Sequence, residues 1–191
     1  MKLERILPFA RRLLETTTSE GDIAVDATVG NGHDTLLLAK LVGRNGLVFG
    51  FDIQDKAIEN TFARLRENQV EDRVTLFKKS HCELVDTLPV DAHGKINSAI
   101  FNLGYLPGGD KNIVTKPETT ISAIEQLLSI MATHGVIVLV IYHGHEQGAV
   151  ERDYLLDYVS NLDQQKAHVL EYRFMNQTNN PPFIVAIEKR Q

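Results

Sequence analysis

Val25-Asp26-Ala27-Thr28-Val29-Gly30-Asn31-Gly32-His33-Asp34 is the stretch that decides how this chain folds. The short run Asp22 to Ala27 reads as a strand, and two glycines spaced G-x-G follow it at once. Leu36, Leu37, Ala39 and Leu41 then continue at helical spacing until Gly43 stops them. A strand that turns through glycines into a helix lets the backbone pass close under a ligand without a Cβ in the way. The third glycine of a dinucleotide fingerprint is absent, because Thr35 stands where it would fall. Acidic Asp34 at the helix start would repel a diphosphate and suits a ligand whose near end carries an ammonium and a sulfonium.

Outward from this turn, strands and helices alternate, as βαβ units of a mostly parallel sheet require. Ile6, Ala10, Leu13 and Leu14 form a helical stripe before it. After it come a strand over Leu47 to Asp52, a helix with Ile58, Phe62 and Leu65 inward, and strands over Val74 to Phe77 and Ser98 to Phe101. Thr115-Lys116-Pro117-Glu118 reads as a capping box opening a helix that buries Ile121, Ile124, Leu128 and Met131. Val136 to Tyr142 is a nearly continuous apolar run, expected of a central strand covered on both faces. Val150, Tyr154 and Tyr158 mark a last helix, and strands near Val169 to Phe174 and Phe183 to Ile187 close the chain as a hairpin. The expected architecture is an α/β, Rossmann-like, mostly parallel seven-stranded sheet with a C-terminal antiparallel β-hairpin. The expected organisation is one domain over residues 1–191, because the 191 residues show neither linker nor repeat.

Composition removes several classes. No apolar run reaches the roughly 18 residues of a membrane span. The opening MKLERILPFARRLLE has no signal-peptide core, so the chain reads as cytoplasmic. The single cysteine, Cys82, rules out a disulfide framework and a thiolate cluster, and no metal is expected. The net charge of −5 weighs against a nucleic-acid partner, although Arg5, Arg11, Arg12, Lys78 and Lys79 could make a local basic face.

The strand ends carry the chemistry. Gly30 and Gly32 shape the first turn beside Asp26. Asp52 ends the second strand 22 residues beyond Gly30, where a carboxylate can accept both ribose hydroxyls of an adenosine. Gln54 can cover the same sugar; the competing reading of Asp52 is a helix cap. Ser80 and His81 follow the third strand and can meet an adenine edge, unless Ser80 simply caps a short helix. The fourth strand runs into Asn102-Leu103-Gly104-Tyr105-Leu106-Pro107-Gly108-Gly109-Asp110, at the carboxyl edge where open α/β sheets bind ligands. There Asn102 can orient an amine and Tyr105 can stack on a base. His143 and His145 lie two apart without a third ligand, so His143 reads as a substrate contact or general base rather than a metal ligand.

These segments resemble one family. Asp26-Ala27-Thr28-x-Gly30-Asn31-Gly32-x-Asp34-Thr35, Asn102-Leu103-Gly104-Tyr105-Leu106-Pro107-Gly108-Gly109-Asp110-Lys111, Thr119-Thr120 and Tyr142-x-Gly144-His145-x-x-Gly148 are similar to the motifs of bacterial proteins long labelled putative rRNA methylases. Those are class I methyltransferases now regarded as acting on the tRNA wobble uridine, converting 5-aminomethyl-2-thiouridine to its 5-methylaminomethyl form as homodimers. The resemblance implies S-adenosyl-L-methionine as cofactor, held by Asn31, Gly32, Asp34, Thr35, Asp52, Gln54, Ser80 and His81. It implies a tRNA anticodon loop as partner, met by Asn102, Tyr105 and the segment Gly104, Leu106, Pro107, Asp110 and Lys111. The alternatives are methylation of rRNA or of a small-molecule amine, and a nicotinamide-binding or non-catalytic domain of the same fold.

Overall fold

In the computed structural model, residues 2–106, 108 and 114–191 are described. The elements run α1 (Ile6–Thr17), β1 (Ile23–Asp26), α2 (His33–Leu41), β2 (Leu47–Asp52), α3 (Asp55–Glu67), β3 (Val74–Lys78), α4 (Leu84–Thr87), β4 (Ile96–Leu103), α5 (Pro117–Ile130), β5 (Met131–Ile141), α6 (Glu146–Ser160), β6 (Ala167–Tyr172) and β7 (Phe183–Lys189). Seven strands form one sheet in the order β3-β2-β1-β4-β5-β7-β6, with β7 antiparallel to both neighbours and the rest parallel. The expected terminal hairpin is present, and its second strand is the one inserted next to β5.

Alternation along the central strands splits the core into two layers. Ala24, Val48, Ile100, Val138 and Val140 face α1 and α2, whose Leu14 and Leu38 are fully buried. Val25, Phe49, Phe101, Leu139 and Val185 face the other way, against α5 and α6 through Ile124, Leu127 and Leu155. Covering both faces explains the unbroken apolar run of β5. Every parallel strand therefore presents its carboxyl end at one edge of the sheet, where the turns after β1, β2 and β4 meet.

Four expectations need correction. Thr115 does not cap α5: Lys116 is the N-cap, without a side-chain bond, and Pro117 takes the first turn. The buried side of α5 is Thr120, Ala123, Ile124, Leu127 and Ile130, and Met131 already belongs to β5. In α6 the inward residues are Gly148, Glu151, Leu155 and Val159, while Val150 and Tyr154 are exposed. In α3 they are Ala57, Thr61 and Leu65; Phe62 is half exposed, under the Arg66 guanidinium 5.9 Å from its ring. In both α6 and α3 the aromatics that seemed to mark the core lie one position off a face built on smaller or polar residues.

Candidate functional site

The turn after β1 is built from beneath. Asp26 is almost fully buried, with Oδ2 accepting from Thr35 Oγ1 at 2.6 Å and Oδ1 from the Thr28 amide at 3.2 Å. Burial dominates its titration and pushes the carboxyl up to about 7 against the Thr35 bond, with the negative charges of Asp34 and Asp52 adding to the rise. Asp26 and Thr35 line neither of the cavities below. They brace the turn from beneath. Gly32 is the left-handed N-cap of α2 (φ 76°), and a Cβ there would sit 2.9 Å from the Thr61 Cα. Its smallness serves the approach of α2 to α3.

Asp52, at the end of β2, accepts from the Gly30 amide at 3.1 Å and the Gln54 amide at 3.0 Å. Burial raises its pKa, and those amides work against the rise. This half-buried carboxylate fixes the glycine turn while facing a cavity of about 330 Å³. Gln54, Ser80, His81 and Leu106 line the same space. Ser80 also caps the turn His81–Glu83, as the competing reading had it, with Glu83 closing the capping box. His81 stands 3.2 Å from the Ala27 carbonyl through Nδ1, and burial lowers its pKa to about 4. It is neutral at ordinary pH. Since a carbonyl only accepts, Nδ1 carries the proton and Nε2 is a bare acceptor. That Nε2 is buried and has no partner among the described residues.

A second cavity, of about 610 Å³, opens between the β1 turn, α1 and the end of β5. Asn31, Asp34, Arg11 and Tyr142 line it. Asn102, at the end of β4, is held twice: its backbone amide donates to Thr28 Oγ1 at 2.7 Å, and its Nδ2 donates to Asp34 Oδ2 at 2.9 Å. Arg11 Nε approaches the other Asp34 oxygen at 3.4 Å. With Nδ2 committed to the carboxylate, Asn102 Oδ1 remains as an acceptor. Burial, then the Asp34 charge, raises the pKa of Tyr142, so its phenol stays protonated.

The two cavities touch. Thr28, Gly30, Asn102, Gly104 and Tyr105 belong to the walls of both. The sequence-derived residues thus fall into a β2–β3 group (Asp52, Gln54, Ser80, His81), a shared seam (Gly30, Asn102, Gly104, Tyr105), and a far side (Asn31, Asp34, His143). Pro107, Asp110 and Lys111 lie outside the described residues. His143 is withdrawn as a general base: Nε2 contacts the Pro181 carbonyl at 2.9 Å and Nδ1 meets Arg152 Nη1 at 3.3 Å, leaving no ring nitrogen for proton transfer. Thr28, two residues beyond β1, was quoted in the motif but given no role of its own in the sequence reading, and Arg11 was seen only as surface charge. Among the described residues no cluster of His, Cys, Asp and Glu could hold a metal, and no helix is long and apolar enough to cross a membrane.

Residues 48–188 match the family described as putative rRNA methylase. The chain belongs to that family. Within the putative rRNA methylase group, the protein of Clostridium thermocellum has 43% identity and a TM-score of 0.95, covering 99% of this chain and 100% of that one. A putative methyltransferase of Streptococcus mutans, solved in complex with SAH, has 34% identity and a TM-score of 0.87, covering 98% and 99%. The chloroplastic tRNA (mnm(5)s(2)U34)-methyltransferase of Arabidopsis thaliana is 33% identical over 183 residues, 92% of this chain. This chain spans 66% of that relative's length. The family, the class I methyltransferase fold and the paired cavities agree: the chain is a methyltransferase.

Proposed function

We propose that this protein methylates the aminomethyl nitrogen of 5-aminomethyl-2-thiouridine at the tRNA wobble position, giving the 5-methylaminomethyl form. S-adenosyl-L-methionine is the methyl donor. The observation that carries the reading is the seam: a smaller cavity with an Asp52 carboxylate and an orphaned His81 acceptor meets a larger one at Asn102 and Tyr105. The residues fit the donor. Asp52 suits a ribose diol, His81 Nε2 suits an N–H of an adenine edge, and the acidic Asp34 beside the glycine turn suits a cationic methionyl end. When bound, the donor supplies an electrophilic methyl on a sulfonium.

The chain's own part is positioning. The amine attacks as a neutral nucleophile, its C–N bond forming as the C–S bond breaks, and the displaced electron pair stays on sulfur. Asn102 Oδ1, oriented because Asp34 fixes the other end of the amide, accepts one N–H and points the nitrogen lone pair across the seam. Tyr105, 43% exposed and in both walls, offers a face for the base. The amine's extra proton leaves to solvent after transfer, so no covalent intermediate is needed.

The chloroplast relative's named activity supports the tRNA substrate, and Arg5 at the N-cap of α1 with Arg11 and Arg12 on that helix could give the local basic face that an acidic protein needs for an anticodon loop. A homodimer and a cytoplasmic location go with this reading. The net charge of −5 favours the rival, a small-molecule amine. The test is labelled methyl transfer by the purified protein to tRNA bearing 5-aminomethyl-2-thiouridine, to rRNA and to free amines, read by nucleoside mass spectrometry. Label in 5-methylaminomethyl-2-thiouridine is expected, with kcat/KM about tenfold to a hundredfold lower for Tyr105→Ala and donor affinity kept. Label appearing only in rRNA or in free amines would refute it.

A further inference from the structure

The motif segments Thr119-Thr120 and Tyr142-x-Gly144-His145-x-x-Gly148 have been given no step in the transfer described above. One of their residues, Thr120, bonds a carboxylate that lines neither cavity. Glu151 sits on the inward face of α6 and is 2% exposed. Its Oε2 accepts from Thr115 Oγ1 at 2.6 Å and its Oε1 from Thr120 Oγ1 at 2.8 Å. Burial raises its pKa and the two threonine hydroxyls oppose the rise.

Thr115 is the far end of the segment that begins at Gly104. The Gly104 amide donates to Thr115 Oγ1 at 3.0 Å, the Thr115 amide donates to the Gly104 carbonyl at 3.1 Å, and Tyr105 pairs with Val114 in an antiparallel bridge. Gly104–Tyr105 and Val114–Thr115 thus lie side by side as a narrow neck. One hydroxyl, Thr115 Oγ1, links that neck to α6. A carboxylate only accepts, so it dictates that Thr115 points its proton toward α6 and keeps its lone pairs for the Gly104 amide. An apolar residue would fill the same volume without setting that direction. The α6 start is placed by the same motif. His145 caps it, with Nδ1 accepting from the Gly148 amide at 2.8 Å, and its ring lies 5.8 Å from that of Tyr105. A Cβ at Gly148 would meet the Tyr142 carbonyl at 2.5 Å, so only glycine lets the helix begin so close to the end of β5.

We propose that Glu151 is a positioning residue of the transfer site, holding the Gly104–Thr115 neck through Thr115 so that Asn102 and Tyr105 meet at the seam of the two cavities. The proposal rests on the methyl-transfer reading for its consequence and on the neck alone for its cause. It is buried charge kept for direction rather than for stability, since a buried carboxylate with two neutral donors is a costly way to fill a core position.

The test is Glu151→Gln, nearly the same in shape, with Thr115→Ala beside it and Glu151→Leu as the packing control. Hydrogen exchange of the Gly104 and Thr115 amides needs no substrate: protection at both should fall about tenfold or more in Glu151→Gln, with the β5 and β7 amides unchanged. Methyl transfer to modified tRNA should lose kcat by about tenfold to thirtyfold with donor affinity within about twofold. The double variant Glu151→Gln/Thr115→Ala should fall no lower than the worse single variant, because both act through one hydroxyl. Unchanged exchange in Glu151→Gln, or an unchanged kcat in a chain whose parent is active, overturns the proposal. A Glu151→Leu variant that matches the parent in exchange and turnover overturns it too. If the parent modifies no tRNA while the exchange falls as expected, the substrate assignment fails and the clamp stands.

Discussion

Replacing Asp26 with Asn puts the internal brace of the glycine turn on trial. The carboxyl is buried beneath the turn and its pKa rises from 3.8 to about 7. A raised folded-state pKa means that the folded chain keeps a proton that the unfolded chain has released between those values. Stability is therefore fully present below pH 3.8 and is lost as pH rises through about 7. At about 1.4 kcal/mol per unit, three units amount to about 4 kcal/mol at slightly alkaline pH. Asn carries no charge, so it escapes that loss. It also re-forms the bond to the Thr28 amide through Oδ1, but must turn Thr35 from donor into acceptor, at about 1 kcal/mol. Asp26→Asn should thus be about 1 kcal/mol less stable than the parent near pH 4, and about 3 kcal/mol more stable above pH 8. Urea unfolding of both chains across pH 4–9 measures this. His81, whose pKa falls to about 4, weakens both chains equally as pH drops below 6.5, and the difference between the curves removes it. A difference that stays constant with pH, or a parent still ahead at pH 8, would refute the assignment of Asp26 as a neutral brace.

Two further outcomes follow from the same turn. Asp52→Ala should weaken binding of S-adenosylmethionine by about 1.5–3 kcal/mol in calorimetry, since a charged acceptor for the ribose is lost while the fold persists; unchanged affinity would remove Asp52 from the donor site. Gly32→Ala should destabilise the chain by about 2–5 kcal/mol, combining a left-handed backbone unsuited to a side chain with overlap onto Thr61. Thermal melting reads this directly, and an unshifted melting temperature would contradict the close approach of α2 to α3.

The sheet was legible wherever burial is two-sided, because the stretches Val48–Phe51, Ala99–Phe101 and Val136–Ile141 then run without a charged or polar side chain and no partner need be known. The site was legible in part for a different reason. Asp52 and Asn102 stand at strand ends, and the carboxyl edge of such a sheet is where ligands go whatever the side chains. What sequence could not supply is which polar groups face inward. Asp26 and Thr35 sit in the same motif as Gly30, yet they point under the turn and not over it. Glu151 was passed over because charge is ordinarily read as solvated, although its spacing with Gly148, Leu155 and Val159 traces an inward face. The Asp34–Asn102 bond joins residues 68 apart in the chain, and no local pattern announces it.

The order β5-β7-β6 has a consequence for assembly. Residues Phe183–Lys189 occupy an interior place between strands that are both made earlier. Until they emerge, β5 presents the open edge Val136–Ile141, and β6 has no partner in the sheet. α1 meets the same late event from the other end, for Phe9 stacks on Tyr172 at 4.0 Å and Tyr172 donates to the Glu4 carbonyl. Long-range closure of this kind comes late on a folding path, and an apolar edge left waiting is where a nascent chain is open to wrong pairing. A ribosome-bound chain that has not yet made β7 therefore has its donor-side turn, β1 to α2, already encoded and local. The wall that carries Tyr142 still depends on a strand not yet in place.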